Sequence, residues 1–188
     1  RERQMDHRKN LGLQTISIVG YTNAGKTSLF NILTHKKHVV ENALFATLDS
    51  TVGEIYMQSL QKKVLISDTI GFIANLPPSL IEAFKSTLME SVHADIILHV
   101  IDASDPLMME KVRVVDEILE QLTIAKEKVI LVFNKTDLDT TVNEKKLARL
   151  AMDTPHIYIS TKTKIGIETL TSELLPKMIK PHPRSEGV

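Results

Sequence analysis

From residue 15 onward the chain alternates two hydrophobic rhythms. Short, almost unbroken apolar runs occupy 15–19, 96–102 and 129–133, with a briefer one at 156–159. Runs of this length, rich in Ile, Val and Leu, predict strands covered on both faces, as in a parallel sheet. Between and after them, apolar residues recur every three or four positions at 28–33, 79–92, 108–122, 143–152 and 166–179, and these stretches predict helices. The stretch 79–92 has its own start signal: Pro77-Pro78, then Ser79 as an N-cap with Glu82 three residues on. Two further runs, 52–60 and 63–67, are separated by little more than a turn near Gln61-Lys62, which predicts an antiparallel pair. The pattern is that of an α/β fold: a six-stranded, mostly parallel sheet with one antiparallel strand, helices on both faces, and a ligand at the C-terminal ends of the strands.

Composition narrows this picture. A chain of 188 residues with 43% hydrophobic and 24% charged residues can bury a core of its own as one domain. That domain is expected at 15–180. Residues 1–14 are polar and mixed in charge and read as a linker or the tail of an upstream domain. Pro181, Pro183, Ser185 and Gly187 make 181–188 a loose tail. With no cysteine there is neither a disulfide framework nor a thiolate metal site. A net charge of +0 supplies no overall basic field, so any contact with nucleic acid has to be local. Apolar runs are too short to span a bilayer. His99, inside one of them, reads as a packed strand residue, because no second histidine or carboxylate cluster accompanies it.

The chemistry gathers at strand ends. Directly after 15–19 comes Gly20-Tyr21-Thr22-Asn23-Ala24-Gly25-Lys26-Thr27, followed by Ser28 and the first helix. This fits G-x-x-x-x-G-K-[ST], in which glycines let the backbone wrap a phosphate and the helix N-terminus faces the anion. Lys26 is expected on the β- and γ-phosphates and the Thr27 hydroxyl on Mg²⁺. Asp68-Thr69-Ile70-Gly71 follows the run 63–67; the Asp68 carboxylate suits a Mg²⁺ ligand reached through water, and the Gly71 N–H can approach a γ-phosphate. The run 129–133 ends in Asn134-Lys135-Thr136-Asp137. There the Asp137 carboxylate would accept from two neighbouring guanine N–H groups, Asn134 would bond another edge of the base, and the Lys135 stem would lie on its face. Adenine presents the wrong donors to Asp137. Ser160-Thr161-Lys162, at the end of 156–159, resembles the fifth motif of guanine-nucleotide sites, usually Ser-Ala-Lys, which implies that a backbone N–H there meets the guanine oxygen; Thr161 stands where Ala is usual, a change a backbone contact should survive. An irregular stretch, 34–50, lies where a switch segment is expected.

These five motifs in order resemble a Ras-like P-loop G domain. The residues 20–31, with Leu44-Phe45-Ala46-Thr47-Leu48-Asp49, Asp68-Thr69-Ile70-Gly71-Phe72-Ile73, Leu76-Pro77, 82–88 and Ile101-Asp102-Ala103-Ser104-Asp105-Pro106, resemble more closely the HflX family of GTPases, over roughly 15 to 137. The resemblance implies that Thr47 is the switch threonine that meets Mg²⁺ and the γ-phosphate, so that Lys26, Thr47 and Gly71 form the catalytic set and Phe45 to Asp49 lines the nucleotide. It also implies a cytoplasmic protein that associates with the large ribosomal subunit and helps separate subunits under stress, much of the contact residing in an upstream domain; a monomer is expected. One departure is local: where the family follows Phe-Ala-Thr-Leu-Asp with Pro-Thr-Thr-Arg, this chain has Ser50-Thr51-Val52-Gly53.

Hydrolysis is expected to be slow. The place of the water-orienting glutamine of Ras-like enzymes holds Phe72, and no arginine occurs between Lys9 and Val112 to neutralise the charge developing on the phosphates. Asn23 resembles in its place the asparagine of potassium-activated GTPases, which helps bind K⁺ beside the phosphates; a K⁺ ion there is one source of that charge, and the other reading is that Asn23 only shapes the turn. The alternative is a nucleotide-gated ribosome-interaction module with negligible hydrolysis. A small-molecule kinase with the same phosphate loop would need an arginine-rich lid and would leave residues 134–137 unexplained.

Overall fold

The computed structural model describes residues 14–35, 51–68 and 93–179. Six strands form one sheet: β1 (Gln14–Val19), β2 (Thr51–Met57), β3 (Lys62–Asp68), β4 (Ile96–Asp102), β5 (Val129–Asn134) and β6 (His156–Tyr158), in the order β2-β3-β1-β4-β5-β6. All neighbours run parallel except β2 and β3. Helices α1 (Lys26–Thr34), α2 (Met108–Gln121) and α3 (Glu144–Ala151) alternate with the strands. A last helix, α4, runs through turns Ile167–Thr169, Leu170–Leu174 and Leu175–Met178. The predicted helix at 79–92 lies outside the described residues.

The two-residue period of the strands divides the core into two layers. Ile96, Leu98 and Val100 of β4 join Leu29, Phe30 and Leu33 of α1 and Leu170 and Leu175 of α4 on one face. Ile97 and Ile101 join Val112, Val115 and Leu119 of α2 and Leu147 of α3 on the other. That is why β4 and β5 read as continuous apolar runs. Truncating a fully enclosed member such as Leu98 to Ala would cost about 2–5 kcal/mol. The edge strand β2 is covered on one face and alternates instead: Gly53, Ile55 and Met57 point in, Glu54 and Tyr56 out. It stops at Met57, short of the predicted Leu60, because Gln58–Leu60 turns as a 3-10 helix and Gln61 takes a left-handed φ of 49°.

His99 points into the second layer and is 1% exposed. Burial, reinforced by the Lys26 charge, lowers its pKa to about 3. Its ring is therefore neutral, and the 3.7 Å approach of Nδ1 to Asp116 is no ion pair. The plain helix expected at 166–179 contains a π-type turn at Leu170–Leu174. Pro176 accounts for it: proline has no N–H to give and its ring would strike the carbonyl four residues back, so the helix widens before it. Thr171 and Ser172 also turn their hydroxyls back onto the carbonyls of Ile167 and Glu168.

Candidate nucleotide site

The C-terminal ends of β1, β3, β4 and β5 share one edge of the sheet, and the motif residues described here meet there. The loop after β1 begins flush against β4: a Cβ on Gly20, whose φ is 149°, would stand 2.3 Å from the carbonyl oxygen of Val100. Asn23 turns the chain through a left-handed φ of 62°, and Gly25 follows with φ 99°. Gly25 is the N-cap of α1 and offers no side-chain acceptor, so the first-turn N–H groups of this helix have no side-chain cap. Those groups and the helix dipole make the loop an anion cradle.

Lys26 folds back over this loop, its Nζ donating to the carbonyl of Tyr21 at 3.0 Å. The same carbonyl accepts from the Ala24 N–H at 3.3 Å. The lysine is 7% exposed. Burial lowers its pKa to about 8, against the opposing pull of the Asp68 carboxylate. The parallel register of β1 and β3 sets Asp68 beside Ile18, just before the loop. There the Thr27 hydroxyl donates to Asp68 Oδ2 at 2.7 Å. A hydroxyl and a carboxylate side by side are two hard oxygen donors, a set that fits Mg²⁺ completed by phosphate oxygens and water. Among the described residues no group of three or more His, Cys, Asp or Glu could hold a metal alone.

The other half of the site is built by β5 and the turn after β6. Asn134, fully buried, donates Nδ2 to the carbonyl of Ala24 at 2.9 Å and accepts at Oδ1 from the Thr161 N–H at 3.0 Å. One carboxamide thus ties the phosphate loop to the base end. The Thr161 N–H, expected to face a guanine oxygen, is given to Asn134 in this structure. Thr136 anchors the adjacent turn through its N–H and hydroxyl, both donated to the carbonyl of Ile159 at 3.2 and 2.9 Å. Asp137 accepts from the Ser160 hydroxyl at 2.6 Å, and Lys162 stands 4.0 Å from its other oxygen. The Ser160 bond, more than any other influence, holds the Asp137 carboxyl below the usual carboxylate range. It therefore stays an acceptor, as two guanine N–H groups require. Lys135 takes a left-handed φ of 65° and reaches Asp102 at 2.6 Å.

Thus Gly20 to Ser28, Asp68, Asn134 to Asp137 and Ser160 to Lys162 come together along one edge. Phe45, Ala46, Thr47, Leu48, Asp49, Thr69, Ile70 and Gly71 lie outside the described residues. Sequence reasoning gave no role to Asp102, Asp105, Lys111 or Asn143, all of which touch the site's scaffold. Asp102 could have been found by the argument used for Asp68, a carboxylate closing a buried strand.

Residues 15–135 match the family described as 50S ribosome-binding GTPase. The GTPase HflX of Caldanaerobacter subterraneus subsp. tengcongensis is 42% identical over 180 residues, which cover 96% of this chain and 40% of that protein. The GTPase HflX of Magnetococcus marinus is 43% identical over 173 residues, covering 91% of this chain and 39% of its own. The chain therefore spans about two-fifths of the length of these curated relatives. A solved GTP-binding protein of the hyperthermophilic archaeon Sulfolobus solfataricus, in complex with GDP, superposes with a TM-score of 0.67 at 27% identity, over 94% of this chain and 56% of that one. With the phosphate loop, the Asp68 strand end and the 134–137 turn on one sheet edge, the chain belongs to the 50S ribosome-binding GTPase family and is similar, over almost all its length, to the HflX GTPases.

Proposed function

We propose that this chain binds GTP with Mg²⁺, hydrolyses it slowly, and in the whole protein gates association with the large ribosomal subunit. The observation that carries the nucleotide reading is the Asn134 bridge. It joins a loop shaped for phosphates to a turn whose carboxylate, Asp137, is held ionised for a guanine edge. Lys26 would exchange the Tyr21 carbonyl for phosphate oxygens. Thr27 and, through water, Asp68 would hold the metal, with Thr47 completing the set; the bound ion would neutralise charge on the β- and γ-phosphates. Gly71 would give its N–H to the γ-phosphate. Phe45 to Asp49 and Thr69-Ile70 would close over the nucleotide as switch segments.

The slow rate follows from Phe72, which has no polar atom to orient water, and from the lack of arginine between residues 9 and 112. K⁺ at Asn23 is proposed to supply part of the missing charge. Phe72 also favours the second reading, a nucleotide-gated binding module in which hydrolysis is negligible. Among the described residues no helix is long and apolar enough to cross a membrane. A cytoplasmic, monomeric protein whose ribosome contact lies largely in the rest of the chain is the setting proposed. The test is affinity and single-turnover hydrolysis of GTP against ATP, with and without large subunits. Preference for GTP with turnover raised by large subunits supports the first reading; preference for ATP refutes the nucleotide assignment.

A further inference from the structure

β4 leaves the sheet between the two halves of the site. Its last residue, Asp102, is paired across the ladder with Asn134. The strand end and the turn that follows carry two carboxylates, each paired with a different lysine. Asp102 Oδ2 lies 2.6 Å from Lys135 Nζ. Its Oδ1 accepts from the Ser104 N–H at 3.0 Å and the Ser104 hydroxyl at 2.7 Å, which leaves the carboxylate one orientation. Asp105 binds Lys111 of α2 and accepts from the Leu107 N–H at 2.8 Å. The Lys111 ammonium in turn lies 5.1 Å from the ring centroid of Tyr21 in the phosphate loop.

The turn is rigidly held. Buried Asn143 donates to the carbonyls of Ala103 and Asp105, at 3.0 and 2.7 Å. The Ala103 N–H donates to the carbonyl of Asn134 at 2.9 Å. Both carboxylates are less than one-fifth exposed, at 18% for Asp102 and 17% for Asp105, so they differ from the solvent-exposed pairs that contribute little. Burial pushes the Asp105 carboxyl up, but the bonds from Lys111 and Leu107 prevail and hold it below its ordinary value, and the Lys135 charge adds to them. Each arm ends on a group the nucleotide needs. A lysine stem is costly to order, and pinning the Lys135 ammonium at Asp102 fixes the stem before a base arrives. Tyr21 also owns the carbonyl that Lys26 binds, so the residue whose ring meets Lys111 is the one that supplies that acceptor.

We propose that the turn from Asp102 to Asp105 is a positioning element that joins base and phosphate recognition, Asp102 acting through Lys135 and Asp105 through Lys111 and Tyr21. This rests on the guanine-nucleotide reading above. The test is the affinity of the full chain for fluorescently labelled GDP, in two double-mutant cycles. One pairs Asp102→Ala with Lys135→Ala, the other Asp105→Ala with Tyr21→Ala, and nucleotide-free melting is followed alongside. Each aspartate variant should weaken GDP by about tenfold, and each double variant should bind no more weakly than its Lys135→Ala or Tyr21→Ala parent. If Asp102→Ala does not fold, Asp102→Asn keeps an acceptor for Ser104 while removing the charge from Lys135. Additive losses in either cycle overturn the proposal, as does a lowered melting temperature with GDP affinity unchanged. Failure of the underlying reading looks different: the parent chain itself would then bind ATP as well as GTP.

Discussion

Gly25 and Asn134 fit together only because residue 25 has no side chain: a Cβ there would stand 2.2 Å from the Asn134 amide nitrogen. The same nitrogen bonds the carbonyl of Ala24 next door. A substitution at this glycine therefore strikes two parts of the site at once. Gly25→Ala adds a methyl where φ is 99°, a region alanine rarely enters, at a strain of about 1–3 kcal/mol. Pushing Asn134 aside should also release Thr161. The expected outcome is a loss of GDP affinity of at least about a hundredfold. Calorimetric titration with GDP checks it, and a variant binding within threefold of the parent would show that the bridge is dispensable.

Base choice should hinge on Asp137. Asp137→Asn should weaken GTP by at least about a hundredfold and turn preference toward xanthosine triphosphate, whose oxygen matches the new amide donor. Because the Ser160 bond keeps the carboxyl depressed, the ionised form persists to lower pH than that of an ordinary aspartate. Selection of guanine over adenine should therefore survive mild acid. Competition assays at neutral and acid pH read both outcomes; unchanged GTP affinity in the variant would remove Asp137 from base recognition.

Lys26 makes nucleotide binding a protonic event. Its pKa in the ligand-free fold is about 8, against 10.5 in an unfolded chain. Between these values the unfolded state holds more protons, so ligand-free stability should rise with pH across that window, by about 3 kcal/mol in all. Phosphates favour the ammonium form. Binding GDP above pH 8 should thus draw in a proton, and affinity should fall by up to about tenfold per unit from pH 8 toward 10. Titration calorimetry in buffers of different ionisation heat measures the uptake. Lys26→Met should abolish it, and equal uptake in the variant would assign the proton elsewhere.

The boundary between what the sequence discloses and what it conceals is visible at single residues. β4 and β5 were legible because enclosure on both faces demands unbroken apolar runs, and the phosphate loop because Gly20 and Gly25 are required by close approach to Val100 and Asn134. Asn134 was identified as a site residue, but its carboxamide serves as a bridge between loops that only the folded register brings together. Asp102, though its place at a buried strand's end could have flagged it, and Asp105 stayed without partners for the same reason: their lysines lie on other elements, and no spacing rule links them. The π-type turn before Pro176 was hidden because helical periodicity records which face is apolar, not how wide a turn is.

The last prediction separates two jobs of Asn23. Its φ of 62° is left-handed, a conformation asparagine tolerates better than most residues, so turn geometry alone would account for its presence. Its side chain is exposed at the mouth of the phosphate loop, where a cation beside the phosphates would find an amide oxygen. Asn23→Gly distinguishes the two, since glycine keeps the turn and removes the amide. If K⁺ supplies the charge that no arginine in residues 9–112 can supply, the parent should turn over GTP faster in KCl than in NaCl at equal ionic strength, by about tenfold or more. Asn23→Gly should lose that difference while binding GDP within about threefold of the parent. Equal rates of the parent in both salts would take the cation out of the mechanism. The charge would then have to arrive with a partner, and adding large subunits should restore fast turnover in either salt.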